Sequence, residues 1–119
     1  MLKRHIESDI QKNCVKWFRL QYPKLATLLF AVPNGGARNK TEAGIMKGEG
    51  VTAGVSDLIF LFPNSKYHAL CIEMKTPKGT QRDSQKQWQQ KVEAAGYKYV
   101  ICRSFEEFQS SIWGYLSQI

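Results

Sequence analysis

The sequence predicts an α/β fold in which helices pack against a mixed sheet of four strands. Segment 57–62 is apolar on both faces, which is typical of a central strand. Segment 68–75 alternates between two kinds of side chain, as a strand with two different faces does. Before and after these segments, apolar residues recur at helical spacing. Strand and helix patterns that interleave along one chain predict an α/β protein.

Four elements are predicted in the first half of the chain. An amphipathic helix over 6–21 comes first, and a short apolar strand over 27–32 follows it and ends at the sequence PNGG. A short helix over 40–50 ends at a glycine, and the central strand over 57–62 comes next. These segments give the order α-β-α-β.

Four further elements are predicted in the second half. The strand over 68–75 is followed by a helix for which Asp83 or Ser84 is the expected cap. A fourth strand over 97–103 leads into a final helix over 104–116, which opens with the spacing of a capping box. The whole chain then has the order α-β-α-β-β-α-β-α.

Length and composition limit the classes of protein. A chain of 119 residues is long enough for one hydrophobic core, so a single domain over 1–119 is expected. No apolar run approaches the roughly 20 residues of a membrane span, and the N-terminal residues do not resemble a secretory signal. The three cysteines lack the spacing of a zinc site or a disulfide framework, which suits a cytoplasmic protein.

The charge balance indicates the kind of partner. Seventeen Lys and Arg residues against ten Asp and Glu residues give a net charge of +7. A basic surface on a small domain favours nucleic acid or another polyanion as the partner. A solvated surface whose charge only aids solubility is the alternative.

Two charged residues lie within the predicted strand over 68–75. Glu73 and Lys75 are two positions apart, so both side chains point to the same face. Strands often carry Glu and Lys on a solvated face, and that interpretation stays open for this pair. Asp57, at the start of the preceding strand, allows a second interpretation in which the three residues form one site.

The length of the loop between these two strands decides between the interpretations. An odd loop, such as 64–66, places Asp57 opposite Glu73 on one face, with Cβ atoms about 4.5–5.5 Å apart. An even loop places the two side chains on opposite faces of the sheet. The sequence leaves both registers open.

The odd register predicts a metal-dependent hydrolytic site. Two carboxylates at that separation repel each other unless a cation lies between them. Mg²⁺, with Mn²⁺ as a substitute, is a hard cation that takes oxygen ligands and retains water. Such an ion lowers the pKa of a bound water and offsets charge that develops on a phosphodiester. Lys75, on the same face, is placed to hold the attacking water or to stabilise the negative transition state.

Four segments occur in order along the chain: ESDIQ near the N-terminus, a PNGG loop, GVSDLIF, and the long run CIEMKTPKGTQRDSQKQWQQKVEAAGYKYVICRS. Together they resemble the VRR-NUC domain, a branch of the PD-(D/E)xK nuclease superfamily. The similarity extends from Glu7 to about Phe105. It implies a restriction-endonuclease-like core and a metal-dependent nuclease activity. One difference is Ser56, which stands where the superfamily name has proline and which is expected to point away from the site.

The resemblance assigns roles to five residues. Asp57 and Glu73 correspond to the metal ligands, and Lys75 corresponds to the catalytic lysine. Glu7 falls where the family places an acid on its first helix, as a further ligand of metal or water; stabilisation of the helix dipole is the alternative. Gln85 matches a glutamine at the start of the helix after ExK. Its place on the buried stripe requires a hydrogen-bond partner, and a side chain facing solvent is the alternative.

The resemblance also indicates which residues contact nucleic acid. VPNGGARNK is similar to the family's loop after the first strand, and Arg38 and Lys40 are expected to contact phosphate there. Lys78 and Arg82, which follow the ExK strand, are expected to do the same. A plain turn with solvated charges is the alternative for the first loop. The glycines lack the GxGxxG and GK[ST] spacings, so no nucleotide cofactor is predicted.

Residues and resemblance together predict a Mg²⁺-dependent DNA endonuclease, similar to short standalone relatives that look like Holliday-junction resolvases. Branched DNA is the expected substrate, and flaps, nicks or mismatched duplex are alternatives. Symmetric cleavage of a four-way junction needs two active sites, so a homodimer with two-fold symmetry is expected. The alternative from another class is a non-catalytic basic module that binds structured nucleic acid or serves as an assembly subunit.

Overall fold

The computed structural model describes residues 3–33 and 40–119, and the side chains of residues 6–33 and 44–119. These residues form four α-helices and four β-strands, with a short 3-10 helix between the first helix and the first strand. In chain order the elements are α1 (Lys3–Gln21), the 3-10 helix (Pro23–Leu28), β1 (Leu29–Ala31), α2 (Lys40–Gly48), β2 (Leu58–Phe60), β3 (Leu70–Met74), α3 (Asp83–Ala94), β4 (Lys98–Cys102) and α4 (Phe105–Leu116).

The four strands form one mixed sheet in the order β1-β2-β3-β4. β1 and β2 are antiparallel, as are β2 and β3, whereas β3 and β4 are parallel. The parallel pair is joined through α3, because a parallel connection needs a crossover and not a hairpin. The predicted element order and fold class are therefore confirmed.

The first strand is shorter than the segment predicted for it. Residues 23–28 form a 3-10 helix that starts at Pro23, so only Leu29–Ala31 pairs with β2. Proline fits the first turn of a helix, because its fixed φ is helical and the missing N–H would have no partner there. The apolar run over 27–32 is thus divided between a helical turn and a strand.

One face of the sheet carries the main hydrophobic core. Even-numbered residues of the two central strands point to this face and are fully or almost fully buried, among them Leu58, Phe60 and Ile72. They pack in one cluster with Phe18 from α1 and Phe108 from α4. None of the helices in the described part of the chain is both long and apolar enough to cross a bilayer.

The other face of the sheet is covered by α3. Gly54 lies directly against the backbone of Ser84 at the start of this helix, with φ of +86°, a conformation that favours glycine. Neither predicted cap occupies the capping position, because α3 begins at Asp83 and its N-cap is Arg82. The side chain of Gln85 accepts a hydrogen bond from the Arg82 backbone N–H at 2.8 Å instead. This contact places a glutamine between the helix end and the sheet.

Candidate active site

The register of β2 and β3 brings Asp57 and Glu73 together. Leu58 pairs with Ile72 and Phe60 with Leu70, so the next position along the ladder sets Asp57 opposite Glu73. This is the register of an odd loop, although the paired segment is short and residues 61–69 form the connection. The Asp57 carboxylate also accepts a hydrogen bond from the backbone N–H of Met74 at 2.7 Å, which anchors it on β3.

Glu73 is a buried acid with an unusual proton affinity. Its side chain is only 2% exposed. Burial, followed by the hydrogen bond and the charge of Asp57, raises the pKa of Glu73 from 4.5 to about 8. Two carboxylates so close together repel each other, so the proximity of Asp57 adds to the effect of burial on Glu73, while the charge of Lys75 opposes it.

Gln85 connects the residues of the site. Its amide nitrogen donates to Glu73 Oε2 at 3.0 Å, and its amide oxygen accepts from Lys75 Nζ at 2.9 Å. The same oxygen also accepts from the Arg82 backbone N–H, so both the oxygen and the nitrogen of the amide are hydrogen-bonded. Gln85 is 2% exposed, and the predicted burial with a polar partner is observed, whereas a side chain facing solvent is not.

Glu7 reaches the site from α1. Its Oε1 accepts a hydrogen bond from the backbone N–H of Thr76, just beyond β3, at 3.3 Å. The helix begins at Lys3, so Glu7 lies in its second turn and not its first. Because the dipole effect falls off within the first turn, contact with the sheet explains the position of Glu7 better than stabilisation of the helix end does.

The predicted catalytic residues line a single cleft of about 450 Å³ between α1, α3 and the ends of the two central strands. Its walls carry three acids, a lysine and a glutamine together with other residues: Glu7, Asp57, Glu73, Met74, Lys75, Gly79, Thr80, Arg82 and Gln85. Ser56 is not among these lining residues, as expected. Its hydroxyl is buried and donates to the Leu58 carbonyl at 3.1 Å.

The donor set fits a hard divalent cation bound partly by water. Among the described residues, no three or more His, Cys, Asp or Glu side chains converge closely enough to hold an ion by themselves. Asp57 and Glu73 nevertheless offer adjacent oxygen donors, and both share the cleft with Glu7. Mg²⁺ commonly binds through one or two carboxylates while keeping several waters, so this arrangement suits it.

The predicted nucleic-acid contacts fall into two groups. Arg82 lines the cleft and is exposed, and Lys78 is exposed in the turn beside the cleft residue Gly79. Arg38 lies outside the described residues. Lys40 begins α2, but its side chain also lies outside the described part.

Two residues that contact the site were not predicted from the sequence. Tyr99, buried on β4, donates a hydrogen bond to Glu73 Oε1 at 3.4 Å and accepts one from Gln81 at 3.1 Å. Arg103 donates to the carbonyl oxygens of Thr76 and Gly79 at 2.9 and 2.5 Å, which holds the turn after β3. No short motif links these residues to the site, because each reaches it from another element of the fold.

The raised pKa of Glu73 predicts how stability changes with pH. Between about pH 4.5 and 8 the folded protein binds more protons at Glu73 than the unfolded chain does, so metal-free protein loses stability as the pH rises through this window. The expected loss is on the order of a few kcal/mol. It is measured by urea unfolding in EDTA, comparing the native protein with Glu73→Gln, which cannot titrate. If the difference in free energy of unfolding between the two proteins does not change with pH, the pKa of Glu73 is not raised in the folded protein.

The α/β fold described above is that of a nuclease-type domain. A family model described as VRR-NUC domain matches residues 5–106. The chain belongs to the VRR-NUC family, and a nuclease domain of this kind implies a nucleic-acid substrate.

A solved structure supports the same assignment. A chain described as a VRR-NUC domain protein superimposes with a TM-score of 0.84 at 26% sequence identity. The match covers 99% of this chain and 91% of that chain, so the likeness includes all the elements described above. Among curated proteins, none matches this sequence.

Proposed function

We propose that this protein is a divalent-metal-dependent endonuclease that hydrolyses phosphodiester bonds in DNA. The observation that carries the proposal is the convergence of Asp57, Glu73 and Lys75 in one cleft, with Gln85 bonded to both Glu73 and Lys75. Buried acids with altered proton affinity in a cleft are typical of functional sites.

The residues of the cleft have distinct roles in this proposal. Asp57 and Glu73 would hold Mg²⁺ or Mn²⁺, with Glu7 as a ligand or a water-binding group. When bound, the ion would act as a Lewis acid that lowers the pKa of a water molecule and offsets negative charge on the phosphate. Lys75, whose Nζ donates to Gln85 at 2.9 Å, would bring its positive charge to the attacking water and the phosphate oxygens.

Basic residues around the cleft suit a phosphate backbone. Arg82 on the cleft wall and the exposed Lys78 beside it would contact phosphates on one side of the scissile bond. The net charge of +7 gives the whole domain an attraction for DNA. Contacts from Arg38 and Lys40 remain part of the proposal.

We also propose a preference for branched DNA and a two-fold symmetric homodimer. Two nicks placed symmetrically in a four-way junction require two active sites, and one chain supplies one. The three cysteines are free and buried, which suits a reducing compartment such as the cytoplasm.

Sedimentation equilibrium tests the proposed homodimer. A measured mass of one chain at working concentration would contradict the dimer.

Cleavage assays test the activity itself. The protein is incubated with a four-way junction, a flap, a nicked duplex and a linear duplex of shared sequence, in Mg²⁺, Mn²⁺ or EDTA. We expect metal-dependent cleavage, strongest on the junction, that Asp57→Asn abolishes while DNA binding survives. Binding without cleavage in either metal would indicate the non-catalytic module. Equal cleavage of all four DNAs would contradict the preference for junctions.

A further inference from the structure

A chain of hydrogen bonds leads from the surface of α3 to Glu73. Gln89 Nε2 donates to Glu93 Oε2 at 3.4 Å, and Gln81 Nε2 donates to Gln89 Oε1 at 2.8 Å. Gln81 Nε2 also donates to the Tyr99 hydroxyl oxygen at 3.1 Å. The Tyr99 hydroxyl in turn lies 3.4 Å from Glu73 Oε1. A chain of side chains from α3, the preceding loop and β4 therefore ends in the bond from Tyr99 to one oxygen of Glu73.

Each bond in this chain has only one possible direction. A carboxylate only accepts hydrogen bonds, so the amide nitrogen of Gln89 faces Glu93 Oε2. The amide oxygen of Gln89 then faces Gln81, whose nitrogen supplies both of its hydrogens, one to Gln89 and one to Tyr99. Since the Tyr99 oxygen accepts from Gln81, its single hydrogen is directed at Glu73.

The second oxygen of Glu73 also receives a hydrogen bond of fixed direction. Lys75 Nζ and the Arg82 backbone N–H can only donate, and both bond to the amide oxygen of Gln85. The amide nitrogen of Gln85 therefore faces Glu73 Oε2. Donors at both oxygens hold the carboxyl group in one orientation.

The packing around Tyr99 holds its side chain next to Glu73. Its side chain is 5% exposed, and its ring packs edge-on against Trp88 with centroids 6.1 Å apart. It pairs in the sheet with Cys71, two residues before Glu73 on the neighbouring strand. The phenol cannot move away from Glu73 without disturbing the packing of α3 on the sheet.

We propose that Tyr99 is a positioning residue for the metal centre, and that its phenol, directed by Gln81, Gln89 and Glu93, holds Glu73 in the orientation that binds a divalent cation. The proposal rests on the metal-dependent site described above. Partners that orient metal ligands commonly contribute about 10–100-fold to metal affinity. Tyr99 acts through Glu73 and is not itself a ligand.

Titration calorimetry with Mn²⁺ alone, without DNA, tests the proposal. Tyr99→Phe should bind Mn²⁺ about tenfold more weakly than the native protein. Tyr97→Phe is the matched control, because its ring contacts His68 and the described residues give its hydroxyl no hydrogen bond. It should bind Mn²⁺ normally. Native affinity in Tyr99→Phe, or an equal loss in Tyr97→Phe, would overturn the proposal.

A second variant separates positioning from stability. Tyr115→Phe removes a hydroxyl that donates to the Phe62 carbonyl at 2.6 Å, on the core side of the sheet. It should lower stability by about 1 kcal/mol without changing Mn²⁺ affinity.

For Tyr99→Phe we expect reduced kcat at low Mg²⁺, recovery at high Mg²⁺, and an unchanged KM for DNA. A changed KM with unchanged metal dependence would contradict the proposal.

The same measurements distinguish this inference from the proposed function. If the native protein binds Mn²⁺ and cuts DNA while Tyr99→Phe binds Mn²⁺ equally well, only the role of Tyr99 is wrong. If Tyr99→Phe weakens Mn²⁺ binding but the native protein cuts no DNA, only the nuclease proposal is wrong. A native protein that binds no Mn²⁺ would overturn both.

Discussion

Replacing Lys75 with alanine is expected to slow DNA cleavage about 10²–10³-fold while DNA affinity changes little. Lys75 is the basic member of the cleft whose ammonium is held at 2.9 Å by the buried Gln85. Its charge can therefore be placed in advance of the reaction, where it stabilises negative charge that develops on the phosphate. Single-turnover cleavage in Mg²⁺ measures the rate, and binding in EDTA measures the affinity.

A matched variant controls for the loss of one positive charge. Lys66→Ala removes an exposed lysine from the connection between β2 and β3, and Lys66 is not among the residues that line the cleft. We expect it to cleave DNA at close to the native rate. Cleavage by Lys75→Ala at the rate of Lys66→Ala would show that Lys75 has no catalytic role.

Gly54→Ala is expected to destabilise the protein by about 2–5 kcal/mol and to reduce cleavage. Two effects act together at this position. Gly54 has φ of +86°, where an alanine is strained, and an added Cβ would collide with the carbonyl group of Ser84. Since the obstacle is backbone, α3 must move, and Gln85 would move with it away from Glu73. Urea unfolding measures the stability, and the cleavage assay measures the effect on the site.

Gly50→Ala separates these two effects. Gly50 has φ of +102°, but no atom of the residues that the structure describes lies within 4 Å of an added Cβ. This variant should therefore show only the backbone strain, about 1–2 kcal/mol, with normal cleavage. Equal destabilisation by both substitutions would mean that the close approach of Gly54 to α3 contributes nothing.

The strand that carries Glu73 and Lys75 shows what a local sequence pattern can and cannot predict. Alternation along 68–75 predicted that both residues share a face, because the side-chain period of a strand is a local property. Whether Asp57 joins them depends on the pairing of two separate segments, which local pattern leaves open. The observed pairing of Leu58 with Ile72 provides the register that a shared site needs.

Gln85 illustrates a prediction that depended on burial. Its place on the apolar stripe of the helix required a polar partner, and the fold supplies Glu73 and Lys75 from the strand beneath it. The prediction of the cap of that helix was wrong, because Arg82 is the N-cap in place of Asp83 or Ser84, and the side chain of Gln85 accepts a hydrogen bond from the Arg82 backbone N–H. One amide thus serves both the helix end and the cleft.

Periodicity and local motifs were enough to determine the order of helices and strands, the fold class and the family resemblance, because each depends on neighbours along the chain. The tertiary structure alone decided that Asp57 faces Glu73, that Glu7 contacts the turn after β3, and that Tyr99 reaches the same carboxyl group. These contacts join residues 16 to 69 positions apart. Their geometry follows from strand register and helix packing, which no local stretch of sequence specifies.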